Sequence, residues 1–306
     1  MKPFGIVILT CAAFVAADTE VARLAKQLQD EKTERRLEAA NELADLGPDA
    51  KEAVPALTAA LKGDKEAKVR AYAAFALKKM GSEAKEAVPA LIDALKDKDE
   101  EVRSVAADAL GQLGEDAKSA VPALADGLKD PDSGPHAAQA LARIGPDPKD
   151  VLPALVAALQ DTAVRPYAAQ TLGKLGAPAL PALTKALDDK DDDVRVNAVL
   201  ALRLVGSEAA PAIAGALKND KESEVRLNAA MVLGKLGADA KSAVPVLIDA
   251  LKDKSGEVRQ QAAQALGLMG PAAKEAVLAL KEATKDPLEE VAASAVDALK
   301  RIQPDK

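Results

Sequence analysis

Residues 53–81 read AVPALTAALKGDKEAKVRAYAAFALKKMG, and this stretch decides the fold. Val54, Leu57 and Leu61 recur three and four positions apart, which puts them on one stripe of a helix. Charged residues Asp64, Lys65 and Glu66 intervene, and then Val69, Ala73, Ala76, Leu77 and Met80 form a second stripe. Gly81 stands just beyond the last apolar position, where a helix stops most easily on a residue without a Cβ. Pro55 falls at the start of the first helix, the one turn where a missing N–H costs nothing. The stretch therefore predicts a helix, a short charged turn and an antiparallel helix.

The same unit recurs along the chain. Helix-stop glycines stand at Gly47, Gly81, Gly114, Gly145, Gly176, Gly206, Gly237 and Gly270, every thirty to thirty-four residues. Prolines mark the first helices at Pro55, Pro89, Pro122, Pro153, Pro181, Pro211 and Pro245. Acidic turns such as Asp97–Glu101 and Asp189–Asp193 supply carboxylates that can cap the second helix and oppose its dipole. Counting second helices predicts about nine repeats from Thr19 to Gln303, with Pro304 ending the last one. The end repeats are degenerate: Arg35 replaces valine in the first, and Leu278, Thr284, Ala292 and Gln303 depart from the pattern in the last. No strand-like alternation appears, so the expected fold is all-α, a stack in which each repeat packs on its neighbours.

The Ala-Val-Pro-Ala-Leu element (residues 53–57, 87–91 and 120–124) and the Val-Arg-x-x-Ala-Ala-x-x-Leu element (residues 69–77, 225–233 and 258–266) resemble the HEAT repeats, specifically their short phycobilisome-lyase-type subfamily. The resemblance covers essentially residues 18–306. It implies one right-handed α-solenoid whose second helices line the concave face. It does not choose a function, because the family includes scaffolds, bilin lyases and hydroxylases.

Residues 1–17 read as a secretory signal: Lys2, an apolar run from Phe4 to Ala16, and small residues Val15-Ala16-Ala17 before Asp18. The run is too short to span a bilayer, which takes ~20 residues; a buried cap helix is the competing reading. The only cysteine, Cys11, lies within this segment in a poor lipoprotein context. The expected product is an exported protein, periplasmic or secreted, with no cysteine and no membrane anchor. A net charge of −7 and the lack of a basic tail argue against nucleic acid as the main partner.

Motifs for chemistry are scarce. The single histidine, His136, cannot build a multi-histidine metal cage, and no Gly-x-Gly or Gly-Lys-Ser/Thr occurs. Four Gly-x-x-Gly matches, including Gly173–Gly176 and Gly234–Gly237, fall at second-helix ends and read as helix stops. The Asp189–Asp193 cluster lacks the glycine and glutamate of a calcium loop, with Val194 and Leu200 in their places. The resemblance to hydroxylases would require several His-Glu pairs for iron, which the chain lacks. No catalytic, cofactor-binding or metal-binding residue is expected. An arginine ladder (Arg36, Arg70, Arg103, Arg165, Arg195, Arg226 and Arg259) lies at the edge of the apolar stripe. There each stem can pack while the guanidinium bonds the acidic turns of adjoining repeats.

Positions that vary between repeats face solvent or a partner. On the second helix of residues 53–81 the outward arc is Ala71, Phe75, Lys78 and Lys79, flanked by Tyr72. The row of position 72 contains Tyr72, His136 and Tyr167, and the row of position 75 contains Phe75, Leu200 and Met231. These six residues make a candidate protein-binding face, since aromatics used for core packing would sit on the apolar stripe instead. The reading is a non-enzymatic extracytoplasmic scaffold that holds a protein or an extended peptide. The alternatives are a lyase-like or oxidoreductase enzyme or pigment-handling protein of the family, and a structural envelope spacer.

Overall fold

A computed structural model describes residues 20–303. The signal reading of residues 1–17, Cys11, the cleavage point before Asp18, Thr19 and Pro304 all lie outside the described residues. Within them the sequence folds as helix pairs. The first members are α1 (20–27), α3 (Val54–Gly63), α5 (Val88–Ala94), α7 (Val121–Gly127), α9 (Pro148–Ala158), α11 (Leu180–Ala186), α13 (Ala210–Asn219), α15 (Val244–Ala250) and α17 (Val277–Ala283). The second members are α2 (Thr33–Leu46), α4 (Ala67–Met80), α6 (Glu100–Leu113), α8 (Gly134–Ile144), α10 (Arg165–Lys174), α12 (Asp192–Val205), α14 (Ser223–Leu236), α16 (Gly256–Met269) and α18 (Glu289–Ile302). The described residues thus hold nine pairs and no strand, the all-α solenoid that the repeat predicts.

The signals that delimit these helices act as expected, with two differences. All eight stop glycines have positive φ. Only Gly145 is left-handed in the α sense (φ 66, ψ 60); Gly81 takes φ 57 and ψ −134 and leads directly into a 3-10 segment, Gly81–Ala87. Five such seven-residue segments occur, and each seats a fully buried alanine at its centre: Ala50, Ala84, Ala117, Ala240 and Ala273. The second difference concerns proline. Pro55 sits at the first turn of α3, but α9 begins earlier, at Pro148, so Pro153 lies inside it.

The chain divides into two compact units, Met1–Ala154 and Leu155–Lys306. In the first, α2, α4, α6 and α8 pack in series, and α4, α6 and α8 pair with their own first helices α3, α5 and α7. Leu57, Leu77, Leu91, Leu110, Leu124 and Leu141 fill the seam between the two layers with no exposed surface. In the second unit α10, α12, α14, α16 and α18 pack in series in the same way over Leu172, Leu183, Leu202, Leu233, Leu266 and Leu280.

The arginine ladder fastens neighbouring repeats inside each unit. Arg70 donates from Nη1 to the carbonyl of Asp64 in its own turn (2.9 Å), and from Nε and Nη2 to both oxygens of Asp97 in the next (2.7 Å each). Arg36–Asp64 and Arg103–Asp130 repeat the ion pair in the first unit, and Arg165–Asp191, Arg195–Asp220, Arg226–Asp253 and Arg259–Asp286 in the second. In α8 the register position of the arginine is taken by Gly134. Each partner aspartate also folds its own turn: Asp97 Oδ1 accepts the N–H of Asp99, and Asp253 Oδ1 that of Ser255. Burial alone would raise these carboxyls, but the arginine and turn hydrogen bonds outweigh it and hold Asp64, Asp97 and Asp253 below the usual carboxylate range.

Candidate functional site

The outer surface of the second helices carries the residues that differ from repeat to repeat. In the first unit, α4 presents Tyr72, 38% exposed, with Phe75 half-buried one turn on and Lys79 Nζ 5.5 Å above the Phe75 ring. Lys78 does not stand open: its Nζ donates to Asp108 Oδ2 of α6 at 2.6 Å. Asp108 Oδ1 in turn meets His136 Nδ1 of α8 at 3.0 Å, so one carboxylate ties three successive second helices together. Burial would raise the Asp108 carboxyl; the hydrogen bonds from Lys78 and His136 prevail and keep it low. His136 is thereby fixed as part of this bridge while its side chain stays 39% exposed.

Ala71 departs from the sequence reading. It is 2% exposed rather than part of the open arc. A helical wheel assigns one buried stripe per helix, whereas α4 is flanked by both α2 and α6. Positions at the edges of its outer arc are covered by those neighbours.

In the second unit the same two rows place Tyr167 (37% exposed) on α10, Leu200 (36% exposed) on α12 and Met231, half-buried, on α14. Asn197 and Asn228 share the row of Tyr167, but their amides donate to the helix carbonyls of Asp193 and Glu224. The six predicted residues thus fall into two groups, Tyr72, Phe75 and His136 in one unit and Tyr167, Leu200 and Met231 in the other.

A third row, one turn beyond position 75, escapes the sequence reading. In the second unit it runs Lys174, Leu204, Lys235, Leu268 and Arg301 on α10, α12, α14, α16 and α18. Leu204 and Leu268 are 38% and 49% exposed, and all three cations are exposed. The first glycine of each Gly-x-x-Gly supports this row, and it is no helix stop. A Cβ on Gly173 would fall 2.9 Å from Leu204 Cβ, and one on Gly234 would fall 3.3 Å from Leu268 Cδ1. Each glycine leaves the space across which the next helix lays its row side chain. The alternation of cation and leucine is legible in the aligned repeats, but only if position 79 is read as a row of its own.

Among the described residues no group of three or more His, Cys, Asp or Glu side chains is arranged to hold a metal ion, and no helix is long and apolar enough to cross a membrane. The Asp189–Asp193 turn is internally satisfied: Asp189 accepts the N–H of Asp191, and Asp191 accepts the N–H of Asp193 and an Arg165 Nη2 bond. A cleft of about 250 Å³ opens between α16 and α18, walled by Leu268, Asp297 and Arg301 with Gln264 and Ser294 beside them.

The family profile described as HEAT repeats matches residues 21–85, 54–142, 135–203, 152–226, 180–253 and 210–300. The chain belongs to the HEAT-repeat family. No curated protein matches it. Among solved structures it is similar to Kap121p, with a TM-score of 0.69 at 15% identity, over 93% of this chain and 37% of that one. The chain thus spans little more than a third of Kap121p, and the likeness is one of fold alone. It is also similar to the complex of CpcE and CpcF of phycocyanin lyase from Nostoc sp. PCC7120 (TM-score 0.43, 23% identity, 48% of this chain and 96% of that one). A third likeness is to human deoxyhypusine hydroxylase in complex with glycerol (TM-score 0.36, 28% identity, 86% and 100%). At such TM-scores neither of these two bears on activity or ligand.

Proposed function

We propose that this chain is a non-enzymatic scaffold that binds another protein, or an extended segment of one, on the outer surface of its second helices, after export through the segment Met1–Ala17. One observation carries the reading: among the described residues, six of the eight exposed large apolar side chains (Tyr72, Tyr167, Leu200, Leu204, Leu268 and Val296) stand on second helices, the others being Leu278 on α17 and Leu288 in the turn before α18. Tyr72, Tyr167 and Leu200 are each more than a third exposed while the leucines of the seam are fully buried. Large side chains held in water by a rigid helical frame lose little further freedom on binding, and a few such anchors carry most of an interface. The lysine–carboxylate–imidazole bridge fixes the frame around Tyr72 and Phe75.

The test is a pair of double variants used to recover the native partner from cells. Tyr72→Ala with Phe75→Ala is expected to weaken capture by at least ~2 kcal/mol, about thirtyfold, with helical content unchanged by circular dichroism. Thr58→Ala with Lys62→Ala, on the first helix α3, leaves capture as it was. Equal recovery from both variants would remove these residues from any binding role.

A further inference from the structure

On the proposed reading of the second-helix surface as a binding face, we infer that the second unit takes an extended acidic protein segment, with carboxylates about six residues apart and an apolar side chain midway between them. The inference rests on the row Lys174, Leu204, Lys235, Leu268, Arg301, one residue from each of five successive second helices. Lys174, Lys235 and Arg301 are exposed, and no ion pair engages them among the described residues, unlike Lys300 one position before, which holds Asp297 at 3.3 Å. Arg203, next to Leu204, is exposed and unengaged in the same way. The buried arginines, by contrast, are committed to the aspartates of the turns.

The spacing selects an extended partner. Packed helix axes are ~8–10 Å apart, and an extended polyproline-II chain advances ~3.1 Å per residue with three residues per turn. One helix therefore matches about one turn of such a chain lying across the array, and every third side chain faces the row. A carboxylate over Lys174, an apolar side chain at Leu204, a carboxylate over Lys235, an apolar side chain at Leu268 and a carboxylate at Arg301 follow in that order. The cleft between α16 and α18, with Leu268 and Arg301 on its walls, receives the last pair. One acid stands beside the row, Asp297 on the wall of that cleft, and Lys300 holds it at 3.3 Å. With screening over ~8 Å at physiological salt, the charges in direct contact decide the sign that the partner meets.

Three fluorescein-labelled thirteen-residue peptides test this against the full chain by anisotropy. The first has Glu at its first, seventh and thirteenth positions, Leu at the fourth and tenth, and Ser or Asn elsewhere. The second replaces Glu by Lys, and the third replaces Leu by Ser. The first is expected to bind at least about tenfold tighter than either of the others, to weaken with added salt, and to lose about tenfold on Lys235→Glu with Arg301→Glu. Lys218→Glu, exposed on the first helix α13, changes nothing. Equal or tighter binding of the lysine peptide, indifference to the Lys235 and Arg301 substitutions, or no binding of any peptide overturns the inference. Capture of a native partner that depends on Tyr72 and Phe75 but ignores Lys235 and Arg301 would leave the scaffold reading standing and remove this one.

Discussion

A Cβ added at position 234 would sit 2.8 Å from the Cα of Ala265, whereas one added at position 215 would meet nothing within 4 Å. Both glycines lie inside helices, α14 and α13. Gly→Ala in an open helix interior gains up to ~1 kcal/mol because glycine loses more backbone freedom on folding. Forcing a methyl against a neighbouring backbone costs ~1–3 kcal/mol. Gly215→Ala should therefore raise stability and Gly234→Ala should lower it, and urea denaturation of the two variants checks the signs. Equal effects would mean that α14 and α16 are not in close approach at Gly234. The same contrast shows what the sequence reading could reach. Gly237 is legible as a stop because it follows the last apolar position. Gly234, three residues earlier, has its reason in another repeat, and no pattern within α14 contains that neighbour.

The ladder is the feature that joins one helix pair to the next. Arg226 and Asp253 side chains are 6% and 11% exposed, so removing one partner strands a buried charge and two turn carbonyls, those of Asp220 and Lys221. Arg226→Ala is expected to cost ~3–5 kcal/mol. Arg226→Lys keeps the charge without the fork and recovers only part of the loss. The sign with pH follows from the lowered carboxyls. An aspartate whose folded value lies below its unfolded one stabilises the fold fully above about pH 5 and loses that contribution as pH falls through about 4 and below. Thermal melts should be flat from about pH 5 to 8 and decline in acid, and the gap between Arg226→Ala and the parent should shrink at pH ~3. A constant gap would mean that Asp253 is not the partner whose proton is linked to stability. At this scale much was legible in the sequence: arginine at a stripe edge and acids in the turns suffice to join them wherever the arginine is present, in seven of the nine described helix pairs. The 3-10 segments were not legible, because their signal is a lone alanine such as Ala84 between charged residues, too short a pattern to have a period.

At the scale of the molecule, the repeat made the all-α architecture and family legible from end to end, since every unit states the same stripes. The proposed binding surface was legible only in part: rows 72 and 75 stood out by their aromatics, while the row through Lys174 and Arg301 mixes charge with leucine and resembles ordinary solvated variation. Export belongs to this scale as well. If Met1–Ala17 is removed, protein recovered from the envelope or the medium begins at Asp18, as N-terminal sequencing would show; soluble cytoplasmic protein that keeps Met1 would contradict it. The most direct measurement of the central claim is photo-crosslinking in native cells. A benzophenone amino acid is placed singly at Tyr72, Tyr167 and Leu200 on the second helices, and at Thr58 and Lys62 on α3. The account predicts one shared protein adduct from the second-helix positions and none from α3. The same adduct from both faces, or an adduct from α3 alone, would contradict it.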